Sequence, residues 1–302
     1  MLQGPEIVRQ VDIVITYVDG SDPEWVESYN SHVEGKPITK RYRDWGTLKY
    51  LLRGIERHIP FVGKVFIVVS SESQVPSWMD TSKVRVVTHR EIIPERYLPT
   101  FNSSMIEMFL HRIPGLSERY LYFNDDMFPV MDCVEDDFFV DGIPAMGLSW
   151  RIFSFSSFLR LTKRSDRLAR KTLGLSHHVF YIRPRHICSP MLKSECESLY
   201  DAAYTEIIGS LSPLRSEKNY NQYLFLDYMF LKGKMVNKPL SRKHFSLGAA
   251  SEGEIAGYIR NPHAKVVCIN DVEMSDLTFN RKKEAILTAF RSRYPRKSVF
   301  EK

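Results

Sequence analysis

Short apolar runs alternate with amphipathic stretches through the first half of the chain. The runs are rich in β-branched and aromatic residues, have the length of buried strands, and lie at residues 11–18, 64–70, 84–89 and 120–124. Apolar residues at helical spacing occur between them, in residues 48–55 and 106–110. Strands that alternate with helices in this order predict an α/β fold with a mostly parallel sheet flanked by helices.

The second half of the chain has a weaker pattern. A basic stretch over residues 160–171 shows little periodicity, and helices are predicted over residues 190–204 and 214–233. We expect a single catalytic domain over residues 1–302, in which residues around 150–240 form an inserted or lid-like, mostly helical segment.

The last quarter returns to clear elements. An apolar run over residues 265–271 predicts a further buried strand, and a closing helix is predicted over residues 280–294. The basic faces of this closing helix are either solvated or in contact with anionic lipid.

Length and charge narrow the class of protein. At 302 residues with a net charge of +6, the chain can bury a full core and favours acidic partners such as phosphorylated substrates. Its 4 cysteines have neither CxxC nor zinc-ligand spacing, which is typical of a reducing cytosol. With no apolar run of signal-peptide or membrane-span length, we expect a cytoplasmic protein whose membrane contact, if any, is peripheral at the inner face.

Carboxylates stand at the ends of two predicted strands. Asp19 and Gly20 follow the first strand, and Asn124, Asp125 and Asp126 follow the fourth. The crevice beyond the carboxyl ends of parallel strands is where α/β folds bind ligands. Adjacent carboxylates there are unfavourable unless a cation lies between them, and a hard divalent cation carrying a phosphorylated ligand fits. The alternative interpretation is a solvated turn.

Polar residues also precede both predicted helices of the first half. Arg41, Arg43 and Asp44 lie just before the helix at residue 48, where guanidinium groups and helix-start amides favour phosphate. Asn102 and Ser103 precede the next helix, and they either cap it or donate hydrogen bonds to a sugar or phosphate.

Several common nucleotide and hydrolase motifs are absent from the sequence. No GxGxxG follows the first strand, and neither GxxxxGK[ST] nor GxSxG occurs. A Rossmann dehydrogenase, a P-loop kinase and an α/β-hydrolase are therefore disfavoured. The pattern fits an α/β nucleotide-sugar architecture of the GT-A or Rossmann-like kind with a helical insertion.

Several longer motifs, in the right order, resemble the Stealth family of sugar-1-phosphate transferases. This family contains bacterial capsular and exopolysaccharide phosphotransferases and is similar to the catalytic part of the lysosomal-enzyme N-acetylglucosamine-1-phosphotransferase. The motifs are residues 13–25 (IVITYVDGSDPEW), 41–53 (RYRDWGTLKYLLR), 98–103 (LPTFNS), 123–128 (FNDDMF), 214–216 (LRS), 268–271 (CIND) and 294–301 (YPRKSVFE).

The resemblance implies a reaction. A hexose 1-phosphate, such as N-acetylhexosamine 1-phosphate, would pass from a UDP-sugar to a hydroxyl of a glycan or lipid-linked oligosaccharide. UMP would be released and a phosphodiester left, in capsule or exopolysaccharide synthesis.

The resemblance also implies residue roles. Asp125, Asp126 and Asp271 would hold Mg²⁺ or Mn²⁺, and Asp126 and Asp19 would take part in catalysis. His186 is the candidate general base, with His178 as the alternative histidine, and Arg215 would face the phosphates. Residues that would line the UDP-sugar site are Asp19, Gly20, Arg41, Arg43, Asp44, Asn102, Ser103 and Asn124.

Two other functions compete with this one. A conventional metal-dependent glycosyltransferase would attack the anomeric carbon of the same donor and release UDP. A non-catalytic carbohydrate- or nucleic-acid-binding module is disfavoured, since no RNA-stacking motif occurs, and we expect no nucleic-acid partner.

Overall fold

A computed structural model describes residues 10–35, 37–38 and 42–302. The strands in this part of the chain are β1 (Val11–Thr16), β2 (Val62–Val69), β3 (Arg85–Thr88), β4 (Arg119–Asn124), β5 (Met127–Pro129), β6 (Phe139–Val140), β7 (Ile143–Met146), β8 (Leu148–Arg151), β9 (Tyr181–Pro184), β10 (Ser189–Leu192), β11 (Val236–Asn237), β12 (Arg242–Ser246) and β13 (Val266–Asn270). The helices are α1 (Pro23–His32), α2 (Leu48–His58), α3 (His89–Ile92), α4 (Ser103–Glu107), α5 (Ser157–Thr172), α6 (Lys193–Ala202), α7 (Tyr204–Ser210), α8 (Tyr223–Leu231), α9 (Glu252–Arg260) and α10 (Asp276–Arg293).

The central sheet has five strands in the order β10-β4-β1-β2-β3. All of its pairs are parallel except β10 with β4, so the predicted mostly parallel sheet flanked by helices is confirmed. Thr16 pairs with Asn124 in the ladder between β1 and β4. The carboxyl ends of these two central strands therefore lie side by side, as a ligand crevice requires.

A second sheet is joined directly to the first through a two-residue turn. After β4, residues Asp125 and Asp126 lead into β5, which pairs antiparallel with β13. In this sheet Cys268 lies opposite Met127, and His244 of β12 lies opposite Cys268. The acidic turn is thus fixed between two sheets, with the predicted strand at residues 265–271 as its neighbour.

Residues 150–240 contain α5, α6, α7 and α8 together with short strands. Two element predictions in this segment were wrong at their starts. Residues 189–192 form the edge strand β10 rather than the beginning of a helix, and an edge strand tolerates Pro190 because no further strand needs its missing N–H. The helix predicted from residue 214 begins only at Tyr223.

The larger of two hydrophobic clusters among the described residues runs from β1 to the end of α10, and Trp25, Tyr29, Val33 and Phe101 form the smaller one. The predicted helix face of Leu48, Leu51, Leu52 and Ile55 is fully buried in the larger cluster. All four cysteines are buried and free. Among the described residues, no helix combines the length and the apolar character needed to span a bilayer.

Candidate active site

A group of carboxylates gathers at the carboxyl ends of the strands. Burial first, and then the negative charges of Asp126, Asp44 and Asp271, raise the pKa of Asp125 to about 8. These four residues, Asp44, Asp125, Asp126 and Asp271, are called the acidic edge below. The pKa lies this high mainly because burial disfavours the charged carboxylate, and the neighbouring carboxylates add to that effect.

Tyr17 links the end of β1 to this group. Its hydroxyl is buried, and burial together with the charges of Asp44, Asp19 and Asp125 raises its pKa. Asp19 is therefore close to the acidic edge. Its carboxylate Oδ1 accepts hydrogen bonds from the backbone N–H and the hydroxyl of Ser21, at 2.9 and 2.6 Å, which fix the loop after β1.

Asp126 has the environment of a cation ligand. Among the described residues, its buried Oδ1 has no hydrogen-bond partner, while Oδ2 accepts a weak bond from the Cys268 thiol at 3.5 Å. One ligand atom each from Asp126, His186 and Cys268 lie within 4.8 Å of one another. An unpartnered carboxylate oxygen among further carboxylates fits a hard divalent ion such as Mg²⁺ or Mn²⁺. The Cys268 thiol fits less well, because burial and Asp126 raise its pKa and keep it protonated.

His186 lies in the loop between β9 and β10, far in sequence from the loop after β1. Its Nδ1 is 3.1 Å from the Tyr223 hydroxyl, the first residue of α8. Burial lowers the pKa of His186, and the nearby Asp126 carboxylate partly offsets that effect. The imidazole is therefore neutral near pH 7 and can accept a proton.

Three arginines surround this histidine. The charges of Arg242, Arg215 and Arg183 all lower the pKa of His186, in addition to burial. None of the three forms an ion pair within the described part of the chain. We call Arg183, Arg215 and Arg242 the basic wall. Arginines and carboxylates grouped in this way favour a ligand that bears both signs of charge.

Comparison with known proteins gives the family. The family model described as Stealth protein CR2, conserved region 2, matches residues 41–145. The capsular polysaccharide phosphotransferase WcwK of Streptococcus pneumoniae is 32% identical over 97% of this chain and 100% of its own length. This chain belongs to the Stealth family.

Other relatives carry similar names. The receptor polysaccharide phosphotransferase WefC of Streptococcus oralis is 44% identical over 87% of this Stealth chain and 91% of its own. The exopolysaccharide phosphotransferase cps2G of Lactiplantibacillus plantarum is 30% identical over 97% of this chain and 96% of its own. Among solved structures, the galactosyltransferase LgtC matches with a TM-score of 0.44 and 12% identity, over 92% of this chain and 96% of its own. A likeness at that level carries no argument about activity.

The loop that carries Arg215 is held by Asn102, one of the predicted donor-site residues of this Stealth protein. The Asn102 amide donates to the Ser212 carbonyl at 2.9 Å and to Asn219 Oδ1 at 3.0 Å, and its Oδ1 accepts from the Ser104 N–H to cap α4. Arg215 in turn donates to the Ser103 hydroxyl at 2.5 Å. Asn102 is thus fully occupied within the protein, and Ser103 orients a guanidinium group.

Arg43 also has protein partners. Its guanidinium donates to Asp276 Oδ1 at 2.8 Å and to the Met274 carbonyl at 3.2 Å, and it lies 4.0 Å from the centre of the Phe279 ring. These contacts join the segment before α2 to the start of α10. Arg41 lies outside the described residues.

The remaining predicted donor-site residues lie near the strand ends. Gly20 donates its N–H to the Tyr42 carbonyl at 2.7 Å, and a Cβ at this position would come within 2.5 Å of the Tyr42 Cβ. The glycine is needed for that close approach. Asn124 is half-buried at the end of β4. Asp271 accepts from the Trp45 indole N–H at 3.0 Å, which places Trp45 against the acidic edge.

Most of the predicted catalytic residues lie close together in the structure, and the two candidate histidines lie in different surroundings. Asp126 and His186 are neighbours, whereas His178 is exposed and its Nδ1 accepts a hydrogen bond from the Phe180 N–H at 3.2 Å. His186, and not His178, is therefore the histidine beside Asp126.

Sequence reasoning missed several residues of the site. Glu107 is buried, accepts hydrogen bonds from the Gln222 N–H and the Tyr122 hydroxyl, and has its pKa raised to about 7, chiefly by burial. The sequence contained one signal for Glu107: it is an acidic residue between buried methionines in the predicted helix at residue 106. Arg183, Arg242 and Tyr223 gave no such signal, because each lies in an ordinary strand or helix of the second half.

Proposed function

We propose that this Stealth protein transfers hexose 1-phosphate from a UDP-sugar to a hydroxyl of a glycan or lipid-linked oligosaccharide, in capsule or exopolysaccharide synthesis. The observation that carries the proposal is the buried Asp126 oxygen, which has no hydrogen-bond partner among the described residues and lies beside His186, a histidine whose pKa three arginines lower. The names of the relatives, all polysaccharide phosphotransferases, support the same reaction class.

The acidic edge is assigned to the donor diphosphate. Asp125, Asp126 and Asp271 would hold Mg²⁺ or Mn²⁺, which would neutralise charge on the diphosphate. Asp19, Gly20, Asp44 and Asn124 would line the nucleotide end of the crevice. Arg43 supports this end through its bonds to the start of α10.

The basic wall is assigned to the transfer step. The acceptor hydroxyl oxygen attacks the β-phosphorus, and the bond from that phosphorus to the oxygen bridging to UMP breaks. His186 takes the hydroxyl proton, and its contact with Tyr223 through Nδ1 leaves Nε2 for that role. Arg215 stabilises the charge on the phosphoryl oxygens.

We extend the proposal to the organisation of the chain. Residues 1–302 form one catalytic domain, with residues around 150–240 as an inserted segment that supplies Arg183, His186, Arg215 and Tyr223. We place the protein in the cytoplasm, with its acceptor at the inner face of the membrane.

The nucleotide product tests this function. Purified protein is incubated with a panel of UDP-sugars and Mg²⁺ or Mn²⁺, and the nucleotides are separated by anion-exchange chromatography, with water or an added glycan as acceptor. UMP release that an Asp126→Asn variant lacks supports the proposal. UDP as the product identifies a conventional glycosyltransferase instead.

A further inference from the structure

In two arginines of the basic wall, part of the guanidinium group is buried and has no hydrogen-bond partner among the described residues. The Nε atoms of Arg183 and Arg242 are inaccessible to solvent and have no hydrogen-bond acceptor in the part of the chain that the structure describes. Buried donors of a charged group are strongly unfavourable unless an acceptor reaches them, so they are almost always hydrogen-bonded in folded proteins. Two such donors in one place indicate an acceptor that the protein itself does not supply.

The two side chains belong to the same cluster of positive charge. Arg183 and Arg242 both act on His186 and on Tyr223, and Arg183 together with Arg185 contributes to lowering the pKa of Arg242, after burial. A bound anion would relieve this mutual repulsion.

Both arginines are also held in place. Arg183 lies within β9, and its guanidinium carbon is 5.7 Å from the centre of the Phe158 ring. Arg242 is the first residue of β12, which pairs along its length with β13. Donors on strands are better positioned for a multidentate anion than donors on loops, and guanidinium groups match phosphate geometry.

We propose that Arg183 and Arg242 form an anion subsite beside His186 that binds a phosphoryl group. The inference rests on the proposed function, because a phosphotransferase brings such groups to this histidine. The phosphoryl group belongs either to the UDP-sugar donor or to a diphosphate-linked acceptor.

Pyrophosphate binding tests the subsite separately from catalysis. Calorimetric titration of the full chain with inorganic pyrophosphate in EDTA removes any binding that depends on a metal at the acidic edge. We expect Arg183→Gln and Arg242→Gln each to weaken binding about tenfold or more, with partial recovery in the Lys variants. The matched control is Arg296→Gln, an exposed arginine near the end of the chain, which should bind as the wild type does.

The kinetic arms identify the source of the phosphate. A raised KM for the UDP-sugar in the Gln variants assigns the subsite to the donor, and a raised KM for the acceptor assigns it to a diphosphate-linked acceptor. Unchanged pyrophosphate binding in both variants overturns the subsite, even if UMP release is normal. Weakened binding in a protein that releases no UMP retains the subsite and refutes the proposed function.

A separate observation concerns the surface beside this site. Large apolar side chains are exposed on two adjacent loops, including Phe153 at 67%, Phe155 at 83% and Val179 at 68%. Exposed apolar clusters of this kind mark contacts with proteins or membranes. The full set, called the aromatic patch, is Trp150, Ile152, Phe153, Phe155, Phe158, Leu175, Val179 and Phe180.

Pairing of β8 with β9 brings the two loops together. Arg151 lies opposite Tyr181 in this ladder, and the Tyr181 hydroxyl donates to the Phe153 carbonyl at 2.9 Å. The Phe153 and Phe155 rings stack with centroids 5.5 Å apart. The patch reaches the site through Phe158, whose ring contacts Tyr223 edge-on at 5.6 Å.

The charge around the patch selects the occupant. Residues 147–185 contain 7 Arg and 2 Lys against a single acid, Asp166, which is buried. Arg160 and Lys171 form ion pairs with Glu217 and Glu206, and Arg170 pairs with Asp166, so the excess of positive charge comes from the remaining basic residues of the segment. Exposed aromatic residues within a strongly basic segment complement an anionic phospholipid surface, where the rings enter the interface and the cations meet the headgroups.

We propose that the aromatic patch docks the protein on an anionic phospholipid bilayer. Flotation with vesicles of phosphatidylglycerol and phosphatidylcholine should recover the wild type, and vesicles of phosphatidylcholine alone should recover much less. The double variant Phe153→Ser/Phe155→Ser should lose about tenfold in vesicle partitioning. The matched control is Val134→Ser, because Val134 is 59% exposed and is followed by the acidic residues Glu135, Asp136 and Asp137.

Three outcomes overturn the docking proposal. The first is that the wild type does not float, and the second is that the double variant floats as the wild type does. The third is that the patch mediates a dimer, which sedimentation velocity would detect in the wild type and not in the double variant. Normal UMP release to water by the double variant separates this proposal from the proposed function.

Discussion

In the described part of the chain, the acidic edge contains a buried hydrogen-bond acceptor without a partner, and the basic wall contains buried donors without a partner. At the acidic edge, Asp126 has a buried oxygen without a partner and Asp125 has a pKa raised to about 8. At the basic wall, Arg183 and Arg242 have buried nitrogens without a partner, and no carboxylate pairs with them in the described residues. A cation on one side and a phosphorylated ligand on the other would satisfy both. This difference between the two regions supports the proposal that the site binds a metal-associated phosphoryl group.

Removing one carboxylate of the acidic edge should have the largest effect. Asp126→Asn is expected to lower kcat for UMP release by at least about 10³-fold, because the variant loses the oxygen assigned to the cation. Mg²⁺ should raise the Tm of the wild type but not that of the variant. Asp201→Asn, an exposed acid on α6, is the control. Wild-type turnover by Asp126→Asn would remove the acidic edge from the reaction.

Substitution of His186, which lies between the acidic edge and the basic wall, should have the second-largest effect on activity. His186→Gln should lower kcat by about 10²- to 10³-fold with little change in KM for the donor, since a general base acts in the transition state. His178→Gln, at the exposed alternative histidine, should retain activity. The reverse result for the two variants would move the base to His178.

Substitution of Arg215, in the basic wall, should lower activity less than substitution of His186. Arg215→Gln is expected to lower kcat/KM by about 10- to 100-fold through loss of a charged hydrogen bond, and Arg215→Lys should recover part of it. Ser103→Ala removes only the hydroxyl that orients Arg215 and should lose about tenfold or less. A larger loss for Ser103→Ala than for Arg215→Gln would make the hydroxyl, and not the guanidinium, the functional group.

Glu107 is a buried acid close enough to Arg215 for that charge to act on its pKa, and its substitution should change stability. Its folded-state pKa, about 7, lies above its ordinary value of 4.5, so its contribution to stability is present below pH 4.5 and is lost as pH rises to 7. Glu107→Gln should therefore raise the free energy of unfolding by about 1 to 3 kcal/mol at pH 8 and leave it unchanged at pH 4.5.

Urea denaturation at the two pH values measures this difference. Glu27→Gln, at an exposed acid on α1, is the control and should show no pH-dependent gain. An equal gain for Glu107→Gln at both pH values would show that the carboxyl group does not titrate between them.

The two regions also differ in how far sequence predicts them. Asp19, Asp125, Asp126 and Asp271 each follow an apolar run directly, so local pattern and the rule for parallel-strand ends place them together. The basic wall draws on β9, the loop before α8 and β12, and no local pattern reports contacts among three such segments. Nor could sequence show that Arg43 and Asn102 have protein partners, since these depend on α10 and the loop over residues 212–219.

The fold shows the same limit. The parallel core of the sheet follows from four apolar runs and the helices between them, whereas the edge strand β10 is only four residues long and contains Pro190. Its pairing with β4 is a tertiary effect that places the segment before it, including His186, beside Asp126.

The fate of the β-phosphorus is the most direct test of whether the acceptor attacks phosphorus. A UDP-sugar labelled with ³²P at the β-phosphate is incubated with the protein, Mg²⁺ and a glycan acceptor, and the label is followed into the glycan and the nucleotide. We predict that the label enters the glycan as a phosphodiester while unlabelled UMP is released. Label that remains in UDP, with unlabelled sugar on the glycan, would contradict the account.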